Sequence, residues 1–143
     1  MVKKKYRLMF CFALILALSF FGISHAMNNH GLDNFNIVPL WTLISRANNY
    51  LYIDPNGQAS MTVSVSAYNG VDRISITSHL QRYVNNTWVT IKHWTYENNG
   101  TEAYWSEEYN VSKGYNYRLV TYVFAYDGSS ADSASLISKT QYY

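Results

Sequence analysis

Turn-forming residues cut this chain into short lengths, and that punctuation limits the fold more than any other feature. Asp54-Pro55-Asn56-Gly57, Asn69-Gly70, Asn85-Asn86, Asn98-Asn99-Gly100, Lys113-Gly114 and Asp127-Gly128 recur at near-regular intervals. Gly and Asn tolerate the left-handed backbone that tight turns need, and Pro presets φ. The runs between them are rich in Val, Ile, Thr, Tyr and Trp, and none carries apolar residues at helical spacing for three turns. Seven strands are predicted, at about 39–46, 59–68, 71–84, 87–97, 101–111, 115–126 and 131–141. This pattern predicts an all-β fold, a seven-stranded Ig-like or fibronectin-III-like antiparallel β-sandwich.

The start of the chain reads differently. Lys3, Lys4, Lys5 and Arg7 precede an almost wholly apolar stretch from Leu8 to Ile23, and Ser24-His25-Ala26 follows. A basic n-region, a short apolar run and small residues at the cut site are the parts of a secretory signal. The run is shorter than the ~20 apolar residues that a spanning helix needs. The expected organisation is a signal peptide over 1–26, a polar flexible leader over 27–37 and a β-sandwich domain over 38–143. The expected location is secreted or extracellular, with cell-wall association as a variant and no membrane contact after cleavage. Cys11, the only cysteine of 143 residues, falls within the expected signal peptide. The domain must therefore be held by its core, without a disulfide.

Loss of the signal peptide also turns a formal charge of +2 into a small net negative one. The remaining cations, Arg46, Arg73, Arg82, Lys92, Lys113, Arg118 and Lys139, are scattered along the chain. Phosphate-backbone binding needs clustered cations, so nucleic acid is not an expected partner.

Individual runs can be oriented. Ala59, Met61, Val63, Val65 and Ala67 alternate with Ser60, Thr62, Ser64 and Ser66, as in a strand with one buried and one wet face. In the sixth run Leu119, Val123 and Ala125 share one face, and Val120, Tyr122 and Phe124 the other. Apolar residues on both faces mark a central strand; the serine-rich seventh run suits an edge. A two-residue turn at Asn85-Asn86 would pair Leu80 with Ile91, Arg82 with Val89, Tyr83 with Trp88, Gln81 with Thr90, His79 with Lys92 and Thr77 with Trp94. Val63, Val65, Ile76, Leu80, Ile91, Leu119 and Val123 are then the expected core.

Ile74-Ser75-Ile76, Leu80-Gln81, Trp88-Val89 and Trp94, followed by Gly114-Tyr115-Asn116-Tyr117-Arg118, resemble a family of small secreted proteins from Gram-positive bacteria, described as a domain of unknown function. The resemblance runs from about Trp41 to Lys139. It implies export and an Ig-like fold, and brings no catalytic residue with it.

Chemistry-bearing patterns are sparse. In the predicted register His79 and His93 lie on opposite faces, and no CxxC, HxH or HExxH spacing occurs, so neither a metal nor another cofactor is expected. Glu107 and Glu108 are adjacent and point oppositely on a strand; Glu102 and Glu108 share a face but lie far apart. No serine sits in G-x-S-x-G. Asn85-Asn86-Thr87, Asn99-Gly100-Thr101 and Asn110-Val111-Ser112 match the N-x-S/T pattern and read as turn residues.

What distinguishes the composition is 14 tyrosines and 4 tryptophans. Some belong inside: Trp88 or Trp94 as a buried tryptophan, and Tyr115 or Tyr117 as a corner tyrosine. A small sandwich cannot bury them all. The predicted register gathers Tyr83, Trp88 and Trp94 on one face with Gln81, Thr90 and Lys92 between them. This is the expected ligand-binding platform of a non-enzymatic binding module, its partner a cell-wall polysaccharide or an extracellular protein. A structural envelope component without a small ligand, and a small secreted hydrolase with acids from separate strands, are the alternatives.

Overall fold

A computed structural model describes residues 41–143. The expected signal peptide and leader lie outside the described residues. The chain forms β1 (Ile44–Ile53), β2 (Gln58–Ala67), β3 (Arg73–Val84), β4 (Thr87–Asn99), β5 (Glu102–Asn110), β6 (Asn116–Tyr126), β7 (Ala131–Ile137) and the short β8 (Gln141–Tyr142). They make two antiparallel sheets, one ordered β1-β2-β5 and the other β4-β3-β6-β7, with β8 also paired to β6. β3 and β6 are the central strands of the larger sheet, and β7 is at its edge; the patterns of the sixth and seventh runs predict the places of β6 and β7.

The inner faces meet in one core. Leu51, Met61, Val63 and Val65 come from the smaller sheet, and Ile74, Ile76, Leu80, Leu119 and Val123 from the larger. Each is at most 2% exposed, so the alternation read in the second run is realised over its length. Trp105 is the buried tryptophan, at 6% exposure; the predicted alternatives were Trp88 and Trp94. Tyr117 is fully buried and donates from its hydroxyl to the carbonyl of Ser112 at 2.7 Å. Burial raises its pKa, against the pull of the nearby Arg82.

Three predicted elements need correction. The first strand is Ile44–Ile53 and not 39–46: Asn48 and Asn49 resemble a break, but Asn49 lies within the strand. Its Nδ2 donates to the carbonyls of Leu119 and Leu136 and to Thr121 Oγ1, at 3.1, 3.3 and 3.3 Å, which ties the two sheets together. Thr121 in turn meets Ser78 at 3.1 Å inside the core. The seventh run splits at Ser138 into β7 and β8, giving eight strands in place of seven.

The third correction is the register of β3 on β4. Asn85 and Asn86 both have positive φ, 50° and 61°, the type I′ geometry of a two-residue hairpin. Tyr83↔Trp88, Arg82↔Val89 and Gln81↔Thr90 follow as expected. A bulge then leaves Ile91 without a partner, and the ladder resumes at Leu80↔Lys92, His79↔His93 and Ser78↔Trp94. An extra residue exchanges the two faces of everything beyond it on the bulged strand. Ile91 itself is half-buried against the core, not a full member of it.

The chain entering β1 is held by one carboxylate. Asp132 Oδ2 accepts from the backbone N–H groups of Thr42, Leu43 and Ile44 at 2.8, 3.0 and 3.3 Å, and Oδ1 from that of Ser133. Partial desolvation works to raise the Asp132 pKa, but these N–H donors together hold it below the usual carboxylate range.

Candidate functional site

The bulge divides the six predicted site residues. Gln81, Tyr83, Trp88 and Thr90 precede it and share the outer face of the larger sheet, away from the core. Lys92 and Trp94 follow it and belong to the opposite face. Trp94 packs on the core beside Trp105 and Tyr109, with ring centroids 5.6 and 6.1 Å away, while the Lys92 ammonium lies 5.9 Å from the Trp94 ring centre. The three-ring platform of Tyr83, Trp88 and Trp94 is therefore not formed.

A different cluster replaces it. Tyr83 and Trp88 are tilted together at 5.1 Å. The guanidinium of Arg118, brought opposite Gln81 by the β3–β6 ladder, lies 4.3 Å over the Trp88 ring. Its Nε donates to Gln81 Oε1 at 2.8 Å, and Gln81 Nε2 donates to Thr90 Oγ1 at 3.3 Å. Thr90, Gln81, Arg118, Trp88 and Tyr83 thus form one connected chain of contacts across three strands. Four of the five were read from the hairpin alone. Arg118 is not legible there, although its parity with Tyr122 and Phe124 on the sixth run puts it on the face opposite Leu119, Val123 and Ala125.

The same bulge brings His79 and His93 together on that face, correcting their expected separation. Their rings stack at 5.8 Å, with Tyr122 edge-on to His79 at 5.8 Å. Farther along, Phe124 stacks on Tyr126, Arg73 covers Tyr126 at 4.2 Å, and Arg73 pairs with Glu97 at 2.7 Å. Tyr83, Tyr122 and Phe124 remain 38, 43 and 40% exposed. No other described element packs over this face. A line of rings thus runs from Trp88 on β4 across β3 to Tyr126 on β6, with threonine, serine and glutamine side chains between them.

The remaining features offer less. A depression of about 350 Å³ beside the β6–β7 turn is lined by Asp72, Arg73, Tyr126 and Gly128–Ala131. Among the described residues, no three His, Cys, Asp or Glu side chains converge as metal ligands. Glu102 and Glu108 sit on the outer face of the smaller sheet, bonded to Ser66 and Gln58. No family model and no curated protein matches the chain.

Proposed function

We propose that this chain is a secreted, non-enzymatic β-sandwich binding module of Ig or fibronectin-III type, and that it holds a cell-wall polysaccharide or an extracellular protein on the outer face of its larger sheet. The strand order supports the fold reading. The order β1-β2-β5 is in keeping with strands A, B and E of an Ig-type sandwich, and β3-β6-β7 with C, F and G. The buried Tyr117, bonded back to Ser112, is in keeping with the corner tyrosine of that fold. Export rests on the signal-like residues 1–26 and on the resemblance to small secreted Gram-positive proteins.

One observation carries the binding reading: exposed rings from adjacent strands share one face of the larger sheet, over which no other described element packs, with hydrogen-bonding side chains between them. Rigid rings present a large contact area at little entropic cost, and their polar neighbours orient what lies on them. The test is retention on insoluble cell walls and polysaccharides. Replacing Tyr83 and Tyr122 together by Ala should abolish retention and leave the Tm nearly unchanged, since both rings are exposed. Full retention by this variant, or the same loss on replacing Tyr50 and Tyr104 of the smaller sheet, would remove this face from consideration.

A further inference from the structure

The state of Arg118 narrows the ligand class; this step rests on the binding-module reading above. An exposed arginine ordinarily sweeps through many rotamers, and the entropy lost on fixing it weakens any bond it makes. Arg118 is already fixed. Trp88 supports its flat face, Gln81 occupies its Nε edge, and Thr90 holds Gln81 in turn. Nothing described neutralises it: no carboxylate among the described residues pairs with Arg118, and the acid on this face, Glu97, is engaged by Arg73. A guanidinium held on one edge and one face leaves its terminal nitrogens to bind a planar anion in two parallel hydrogen bonds.

The surroundings identify what bears that anion. The positions around the rings carry the hydroxyls of Thr77, Thr95, Ser75 and Ser133, with Val120 buried among the rings and Ile137 exposed at the β7 edge; the hydroxyl side chains suit a hydroxyl-rich ligand. The exposed faces of Tyr83 and Tyr122 suit the C–H faces of sugar rings. We propose that the ligand is an acidic polysaccharide, a chain of sugar rings bearing carboxylates, and that Arg118 binds the carboxylate while Tyr83 and Tyr122 carry the rings. Trp88 and Gln81 act as positioning residues through Arg118.

Calorimetric titration of the secreted protein with a uronate oligosaccharide and with its neutral methyl-esterified form tests this. The acidic form should bind about tenfold more tightly, the difference of a charge-assisted pair, and added salt should erase that advantage. Arg118→Gln should abolish the difference in affinity between the acidic and the neutral form. Arg118→Lys should recover only part of the difference, because charge returns without the fork. Circular dichroism would establish that both variants are folded; if Arg118→Gln is not, Gln81→Ala, which frees the guanidinium, takes its place with the same expected loss. Equal binding of both forms, still dependent on Tyr83, would overturn the carboxylate assignment and leave the aromatic face as a binding site. Tighter binding of an acidic peptide than of the uronate would overturn the polysaccharide assignment. Failure of the folded protein to bind any glycan or peptide would overturn the binding-module reading itself.

Discussion

The β3–β4 hairpin follows two different rules on either side of Ile91. Between the turn and the bulge, Tyr83 faces Trp88 on the outer face, and Trp88 carries Arg118. Beyond it, Trp94 faces Ser78 and its ring joins Trp105 at the core. The two tryptophans are six positions apart on one strand, where plain alternation would place them on the same side. One unpaired residue separates a surface tryptophan from a core tryptophan, and the same insertion turns His93 outward to meet His79. The outer face owes its composition to that irregularity as much as to any side chain on it.

Removing core contacts beyond the bulge should have the largest effect. Leu80→Ala should lower stability by about 2–5 kcal/mol and Trp94→Ala by about 3 kcal/mol, measured by urea unfolding. Trp88→Ala, before the bulge, should cost about 1 kcal/mol or less. Equal losses for the two tryptophans would mean that they share an environment.

Deleting Ile91 sharpens the same contrast. The deletion removes the unpaired residue and leaves Lys92 opposite Leu80, so Trp94 should stay on Trp105 and the domain should fold. Lost packing at Ile91 should cost about 1–2 kcal/mol. A change in tryptophan fluorescence to that of an exposed indole would mean that Trp94 had flipped.

The register can also be trapped covalently. Thr77 and Thr95 are opposite one another, with hydroxyl oxygens 3.4 Å apart, so Thr77→Cys with Thr95→Cys should close a disulfide on oxidation. Thr77→Cys with Trp94→Cys, the pair that an unbulged hairpin would join, should stay reduced. Mass spectrometry reads both results.

The smallest effect concerns acid. Asp54 and Asp127 have lowered pKa values because they accept backbone N–H bonds, foremost from Gln58 and Ser130; in Asp132 such bonds outweigh desolvation. A carboxylate whose pKa is depressed by folding stabilises the fold above its unfolded pKa, about 3.9, and loses that contribution as pH falls through the lower folded value. Stability should thus change little from these groups between pH 7 and about 5 and decline below about 4. Asp132→Asn should shrink that decline; an unchanged acid limb would mean that the clasp on β1 is not coupled to global folding.

Much of this architecture is legible in the chain. The turns mark the strand ends, the alternation in β2 and β6 gives their faces, and the Asn-Asn pair sets the hairpin type. These are local properties, encoded by residues within a few positions of one another. The bulge is not local. Ile91 is as good a strand residue as its neighbours, and only its surroundings make it the unpaired one: Leu80 and Trp94 both have places in the core once the ladder slips by one residue. Asn49 misleads for a related reason, since its side chain meets its partners on β6 and β7 only after the two sheets have packed. Arg118 lies between these cases. Its face could be read, but its alignment with Gln81 depended on a ladder between strands far apart in sequence.

The Asp132 clasp has a consequence for the order of assembly. The N–H groups of Thr42 to Ile44 wait for an acceptor about ninety positions further along the chain. A growing or emerging polypeptide can close its hairpins one by one, because each needs only its neighbours. The Tyr68 N–H on the Leu43 carbonyl and the Ile44↔Ala67 pair can form early, but the Asp132 clasp stays open until the last long strand has arrived. The entry to the sandwich is therefore among the last parts to be completed, and any copy cut short before Asp132 keeps β1 paired to β2 but leaves these N–H groups without their acceptor, a local weak point in the fold.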